Sequence, residues 1–190
     1  MILVGILGAK GSGKSTIAQH LKEQHRFVRY SMASVLKDML RAAGLKEEHI
    51  HGSLKETPQD ILCGKTPRWA MQSLGDEWGR QQIGQDLWVR LAEANLQEVV
   101  RQLTILRRGE AGEIAVVIDN IRYPNELEMV RRQQGQLFLV RRPSVEPRKR
   151  WLRKEHASET LWRKAEADFT VFNDGSKDSL LAQVDFKLGL

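Results

Sequence analysis

Eight residues near the start of the chain, Gly8-Ala9-Lys10-Gly11-Ser12-Gly13-Lys14-Ser15, fit the pattern G-x-x-x-x-G-K-[ST]. Residues of these types at this spacing do one kind of chemistry, which is to hold phosphate. Glycines let the backbone curl closely around an anion, and successive N–H groups then point inward as a nest. A helix opening behind the loop adds the partial positive charge of its N-terminus. Lys14 is expected to reach β- and γ-phosphates, and the Ser15 hydroxyl to ligate Mg²⁺. The expected phosphate-binding set is Gly11, Ser12, Gly13, Lys14, Ser15 and Thr16.

A second candidate is Asp119, which closes the apolar run Ile114-Ala115-Val116-Val117-Ile118. A carboxylate there lies at the sheet edge where α/β ligands bind and can hold Mg²⁺, directly or through water. The alternative is a loop aspartate that caps the next helix. Arg122 either contacts a phosphate or pairs with Glu126 on a helix surface. Residues 141–154 hold seven Lys or Arg and one Glu, while the rest of the chain balances at 23 basic and 23 acidic residues. That segment reads as an arginine-rich lid, with Arg141 and Arg142 at its hinge and Arg148, Arg150 and Arg153 as the catalytic candidates, of which Arg148 and Arg153 are preferred. A solvated basic helix is the alternative for any one of them. Arg68, Gln72, Arg80 and Trp88 could hold a phosphate, read a base edge or stack on a base, although tryptophans at such positions commonly serve packing. His20, His25, His49, His51 and His156 show no spacing with cysteine or carboxylates that would make a zinc site.

The elements that must position these groups are legible in the hydrophobic pattern. Ile2-Leu3-Val4-Gly5-Ile6-Leu7 reads as a strand buried on both faces, and Ile17, Ala18 and Leu21 recur at helical spacing over about 14–24. Further strands are expected at 27–30, 114–119, 137–140 and 169–172. Helices are expected at about 33–43, 85–107, 123–134 and 177–187. Another starts at Thr66-Pro67, with threonine capping, and fades near Arg80 after Gly75 weakens it. Apolar strands alternating with helices indicate a parallel sheet covered on both sides. The expectation is one domain over 1–190, with an insert at about 45–85 and the lid at about 141–166.

Composition narrows the partners. The net charge of +6 belongs to one segment, where a duplex-binding protein more often shows an extended basic face. A compact basic clamp suits a small phosphate-rich ligand, so no stable nucleic-acid partner is expected. No apolar run approaches the ~18 residues needed to span a membrane, and no signal peptide is evident. The lone cysteine, Cys63, excludes an internal disulfide and suits a reducing compartment, so a cytoplasmic location is expected. A homodimer is compatible with the sequence.

Longer stretches then carry a resemblance. Lys55-Glu56, Cys63-Gly64-Lys65-Thr66-Pro67-Arg68, Met71 through Arg80 and Asp86-Leu87-Trp88-Val89 resemble the phage-type deoxynucleoside monophosphate kinases. So do the glycine-rich loop, Ala33-Ser34-Val35-Leu36-Lys37, Asp119 through Glu126, His156-Ala157-Ser158-Glu159 and the stretch from Ala167 to Ser176. The match covers most of the chain in order, and departs from the family at Ser31-Met32-Ala33-Ser34-Val35, where an aromatic, Ala, Asp and Pro are more usual. The resemblance implies an α/β P-loop kinase of three layers, with a five-stranded parallel core sheet, a helical substrate-binding insert and a mobile lid. It implies transfer of the γ-phosphate of ATP to a deoxynucleoside monophosphate, with Mg²⁺. It also implies that Lys10, Lys37, Arg68, Gln72 and Trp88 surround the acceptor and that Arg122 lies near the phosphates. Two other readings stay open. The Ala-Asp…Asn-Asp-Gly-Ser stretch also resembles dephospho-coenzyme A kinases, and the loop alone would suit a nucleic-acid-binding ATPase.

Overall fold

A strand apolar on both faces must be covered on both, and that requirement sets the centre of the fold. The computed structural model describes residues 1–107, 113–146 and 161–190. β1 (Ile2–Gly8) is buried from Leu3 to Leu7. It pairs in parallel with β3 (Ala115–Ile118) on one side and β4 (Gln136–Arg141) on the other. β2 (Val28–Tyr30) adds to β3 and β5 (Phe169–Phe172) to β4, giving the order β2-β3-β1-β4-β5. Every pairing is parallel, so the loops that follow β1, β3, β4 and β5 all emerge at one sheet edge. That is where Lys14, Asp119, Arg142 and Asn173 are gathered from distant parts of the chain.

The chain divides into two compact units, residues Met1–Ser31 with Glu98–Leu190, and residues Met32–Gln97. The first holds the sheet. α1 (Lys14–His25) and α7 (Lys177–Leu188) cover one face, where Ile17, Leu21, Leu180 and Val184 pack with Val4, Ile6, Phe138 and Val171. α6 (Pro124–Arg132) lies on the other, and a Cβ on Gly5 would stand 3.1 Å from a methyl of Val130. This is the expected three-layer α/β arrangement with five parallel strands.

The second unit is built of helices and turns, with one isolated antiparallel bridge between Gln59 and Lys65. It comprises α2 (Ser34–Ala42), α3 (Glu47–Ile50), α4 (Pro67–Ser73) and the first part of α5 (Leu87–Leu106), joined by short 3₁₀ turns. Leu36, Leu40, Leu45, Ile50 and Trp88 form its core. The unit contains the whole expected insert at 45–85 and adds α2 and the start of α5. Thr66 caps α4 as its sequence indicates, its Oγ1 accepting the Trp69 N–H at 3.1 Å.

One element differs from expectation. The helix does not fade near Arg80 but runs on as a π-helical stretch, Leu74–Ile83, in which the Gly84 N–H reaches five residues back to the Gly79 carbonyl at 3.0 Å. The physical reason is Trp88. Its indole N–H donates to the Gly75 carbonyl at 2.7 Å, and its ring lies where a Cβ on Gly79 would be, at 2.5 Å. The missing side chain of Gly79 thus admits the indole, and the Gly75 carbonyl accepts its N–H. No helix among the described residues is long and apolar enough to cross a membrane.

Candidate active site

Backbone geometry at the end of β1 builds a cradle of a shape that suits phosphate. Gly13 sits at φ 111, and a Cβ there would lie 2.7 Å from Asn173 Nδ2. Gly8 is equally constrained, since its Cβ would stand 2.5 Å from the Val140 carbonyl oxygen. The turn delivers the chain straight into α1, whose N-terminus therefore faces the loop. Lys14 Nζ donates to the carbonyls of Gly8 (2.8 Å) and Ala9 (2.7 Å), which keeps its ammonium folded over the cradle. Two braces hold the loop from outside. Asn173 Nδ2 donates to the Ser12 carbonyl at 2.8 Å from the end of β5, and Arg142 Nη1 donates to the Gly11 carbonyl at 3.0 Å from the end of β4. Ser12 itself is fully buried, and its hydroxyl has no partner among the described residues. Lys10, Gly11 and Ser15 are exposed at the mouth of the loop, with Thr16 half-buried behind them.

At the adjacent strand end, Asp119 is 8 % exposed, just past the fully covered β3. Arg29 of β2 clasps it, with Nε at 2.9 Å and Nη2 also on the same oxygen, Oδ2. Among the described residues Oδ1 has no such contact. Arg29 is a site residue that sequence reasoning missed. In a three-residue edge strand its alternation marks an outward side chain, and nothing local signals an aspartate 90 positions away. A carboxylate already neutralised by an arginine suits a metal's water shell better than direct ligation.

Arg122 is exposed. Glu126, only 3 % exposed, accepts the backbone N–H groups of Arg122 (2.7 Å) and Tyr123 (3.2 Å), so the two residues meet at a helix cap through the backbone. Beyond β4, Glu146 takes a two-pronged contact from Arg141, Nε at 2.8 Å and Nη2 at 2.7 Å, and also accepts the Arg142 N–H at 3.0 Å. The Arg141 hydrogen bonds hold the Glu146 carboxyl below its ordinary 4.5, against the opposing effect of burial. Trp162 packs beneath the guanidinium groups of Arg141 (5.7 Å) and Arg163 (5.2 Å). Arg148, Arg150 and Arg153, with most of the expected lid, lie outside the described residues.

The other expected acceptor residues fall in the second unit. Arg68 and Gln72 share one face of α4, one turn apart, with Gln72 exposed and the Arg68 Nε bonded to Glu56 Oε1. Lys37 is half-buried on α2. Trp88 is 4 % exposed, with its ring tilted against that of Trp78 at 6.2 Å, and packs in the core of this unit. Arg80 is likewise covered, its Nη1 on the Gln85 carbonyl at 3.1 Å.

No family model matches the chain. A protein of Acanthamoeba polyphaga mimivirus named "Putative deoxynucleotide monophosphate kinase" is 31% identical over 151 residues, 76% of each chain. The chain belongs to the deoxynucleotide monophosphate kinase family. The resemblance carried by its motifs therefore holds at family level. Several solved kinases are similar in outline. They include shikimate kinase from Bacteroides thetaiotaomicron (TM-score 0.48, 14% identity, covering 100% of this chain and 99% of that one). Shikimate kinase from Aquifex aeolicus (0.47, 13%, 99% and 96%) and dephospho-CoA kinase from Campylobacter jejuni (0.43, 17%, 98% and 95%) are others. With TM-scores below 0.5 these add no weight to any choice of substrate.

Proposed function

We propose that this family member transfers the γ-phosphate of ATP to a deoxynucleoside 5′-monophosphate, giving the diphosphate and ADP. The observation that carries the reading is the phosphate loop, braced by Asn173 and Arg142, at the same sheet edge as Asp119. Residues Gly11 to Thr16 would hold the phosphates of ATP, with Lys14 turning from its own loop carbonyls to the β- and γ-phosphates. Ser15 and Asp119, the latter through water, fit a Mg²⁺ ion, which supplies charge neutralisation on the phosphates when bound.

The chain's own groups do the rest. An oxygen of the acceptor phosphate attacks the γ-phosphorus in line. The bond from that phosphorus to the bridging oxygen breaks, and its electron pair leaves on ADP, so no covalent enzyme intermediate is needed. Lys14, Arg122 and the lid arginines Arg148 and Arg153 offset the charge spread over the transferring group. Arg68 exchanges Glu56 for the acceptor phosphate, Lys10 and Lys37 add positive charge there, and Gln72 offers both a donor and an acceptor to a base edge.

A phosphate-transfer assay with the four deoxynucleoside monophosphates, their ribose counterparts and dephospho-coenzyme A, with and without DNA, tests this. Transfer to a deoxynucleoside monophosphate, independent of DNA, is expected. Transfer to dephospho-coenzyme A alone would overturn it, as would ATP turnover that needs DNA and no acceptor.

A further inference from the structure

Behind the phosphate loop, α1 and α7, with Arg29 of β2, line an open cleft of about 770 Å³ whose lining includes Ser15, Thr16, His20 and Asp185. Around His20 and Asp185 three potential ligand atoms converge. His20 Nε2 lies 2.8 Å from Asp185 Oδ1 and 3.0 Å from Oδ2, and His25 Nε2 lies 3.2 Å from the same Oδ1. The two imidazoles meet edge to face with ring centroids 5.2 Å apart. One donor atom from each of the three residues falls within 4.8 Å of the other two. All are partly covered, with side-chain exposures of 14%, 22% and 27% for His20, His25 and Asp185.

We infer that His20, His25 and Asp185 form a binding site for a divalent transition-metal ion of the zinc type, separate from the phosphate loop. A four-coordinate ion with ligand bonds of about 2.0–2.1 Å keeps its donors about 3.3 Å apart; His25 Nε2 stands 3.2 Å from Oδ1, and His20 Nε2, hydrogen-bonded to it at 2.8 Å, would draw back by about 0.5 Å. Two imidazole nitrogens and one carboxylate oxygen are the donor set that zinc accepts, whereas magnesium prefers oxygens and keeps its waters. The fourth position opens to water in the cleft. Both histidines present Nε2 to the carboxylate, so neither ring has to turn over to exchange a proton for an ion. The ion would tie the end of α1, which opens at Lys14, to α7, which follows Asn173. Those are the two elements on either side of the Asn173 brace.

The test uses the full, untagged chain, stripped with chelator and free of nucleotide, titrated calorimetrically with Zn²⁺ and followed in parallel by the visible absorption of Co²⁺. One ion per chain is expected, with a four-coordinate cobalt spectrum. The unfolding midpoint should rise by about 5–10 °C at a free ion concentration 100 times the dissociation constant. His25→Gln and Asp185→Asn should each weaken binding at least about 10–100-fold, as losses around a metal do, while His51→Gln in the second unit should not. Circular dichroism confirms that each variant is folded. Absence of saturable one-to-one binding below about 0.1 mM in the unaltered chain overturns the inference. So does binding that survives in both folded variants, which would place the ion elsewhere.

Discussion

Asn173 is the residue whose removal tests the phosphate loop most sharply without touching the loop itself. Its amide donates at 2.8 Å to the Ser12 carbonyl, in the middle of the cradle. Asn173→Ala deletes one neutral hydrogen bond, worth about 0.5–1.5 kcal/mol net, and if the bond serves to hold the cradle in shape, ATP affinity falls by about 2–13-fold. Asn173→Asp is nearly the same size but replaces the donor with an anionic acceptor facing a carbonyl, at a site built to receive phosphate. It should weaken ATP binding well beyond the alanine variant. Gly13→Ala supplies the cross-check, because its Cβ would sit 2.7 Å from Asn173 Nδ2. Losing the asparagine side chain relieves that clash and leaves the backbone strain at φ 111, so the two changes should be less than additive. Calorimetric titration of ATP into the unaltered chain, the three single variants and the Gly13→Ala/Asn173→Ala double variant measures all of this. Asn173→Asp binding ATP as tightly as Asn173→Ala would refute the donor role, and strict additivity would refute the contact.

Three further outcomes follow from the same geometry. Glu56→Gln frees Arg68 from its carboxylate partner and should lower the acceptor KM by about 2–5-fold, as expected for an exposed ion pair, whereas Arg68→Ala should raise it for every monophosphate. Gln72→Ala should act unevenly across bases while leaving ATP binding intact, and a uniform loss would remove its reading role. Glu146 has a carboxyl held below its ordinary 4.5 by Arg141, so the pair's contribution is fully present above that value and is lost as pH falls through the lower folded one. With Arg141 42% exposed and solvent screening the pair, Glu146→Gln should lower the unfolding midpoint by about 2–4 °C at pH 7 and by progressively less below pH ~4.5; an unchanged difference at acid pH would contradict this.

Much of the site was legible because its signals are local. A strand apolar on both faces, three glycines, a lysine and a helical apolar pattern sit within twenty residues, and each constrains its neighbours directly. Thr66 before Pro67 was legible for the same reason. What escaped was set by contacts across the sheet or between helices. Arg29 reaches Asp119 only because β2 lies beside β3, and Asn173 reaches Ser12 only because β5 ends at the same edge as β1. His20 and His25 stand five apart on α1, a spacing that puts them on different faces of a straight helix, and their carboxylate comes from α7. The indole of Trp88 donates to the Gly75 carbonyl inside a widened helix, a geometry that no propensity rule anticipates.

Phosphate transfer from ATP to a deoxynucleoside monophosphate at the loop around Lys14 is the proposed reaction. Its most direct measurement is the recovery of label from γ-phosphate-labelled ATP in deoxynucleoside diphosphate, for the unaltered chain and for Lys14→Ala. Label is expected in the diphosphate product with no acceptor-independent loss of ATP, together with a fall in turnover of about 10²-fold or more in the folded Lys14→Ala protein. Label appearing only as inorganic phosphate, or transfer that persists at the original rate without the Lys14 ammonium, would contradict it.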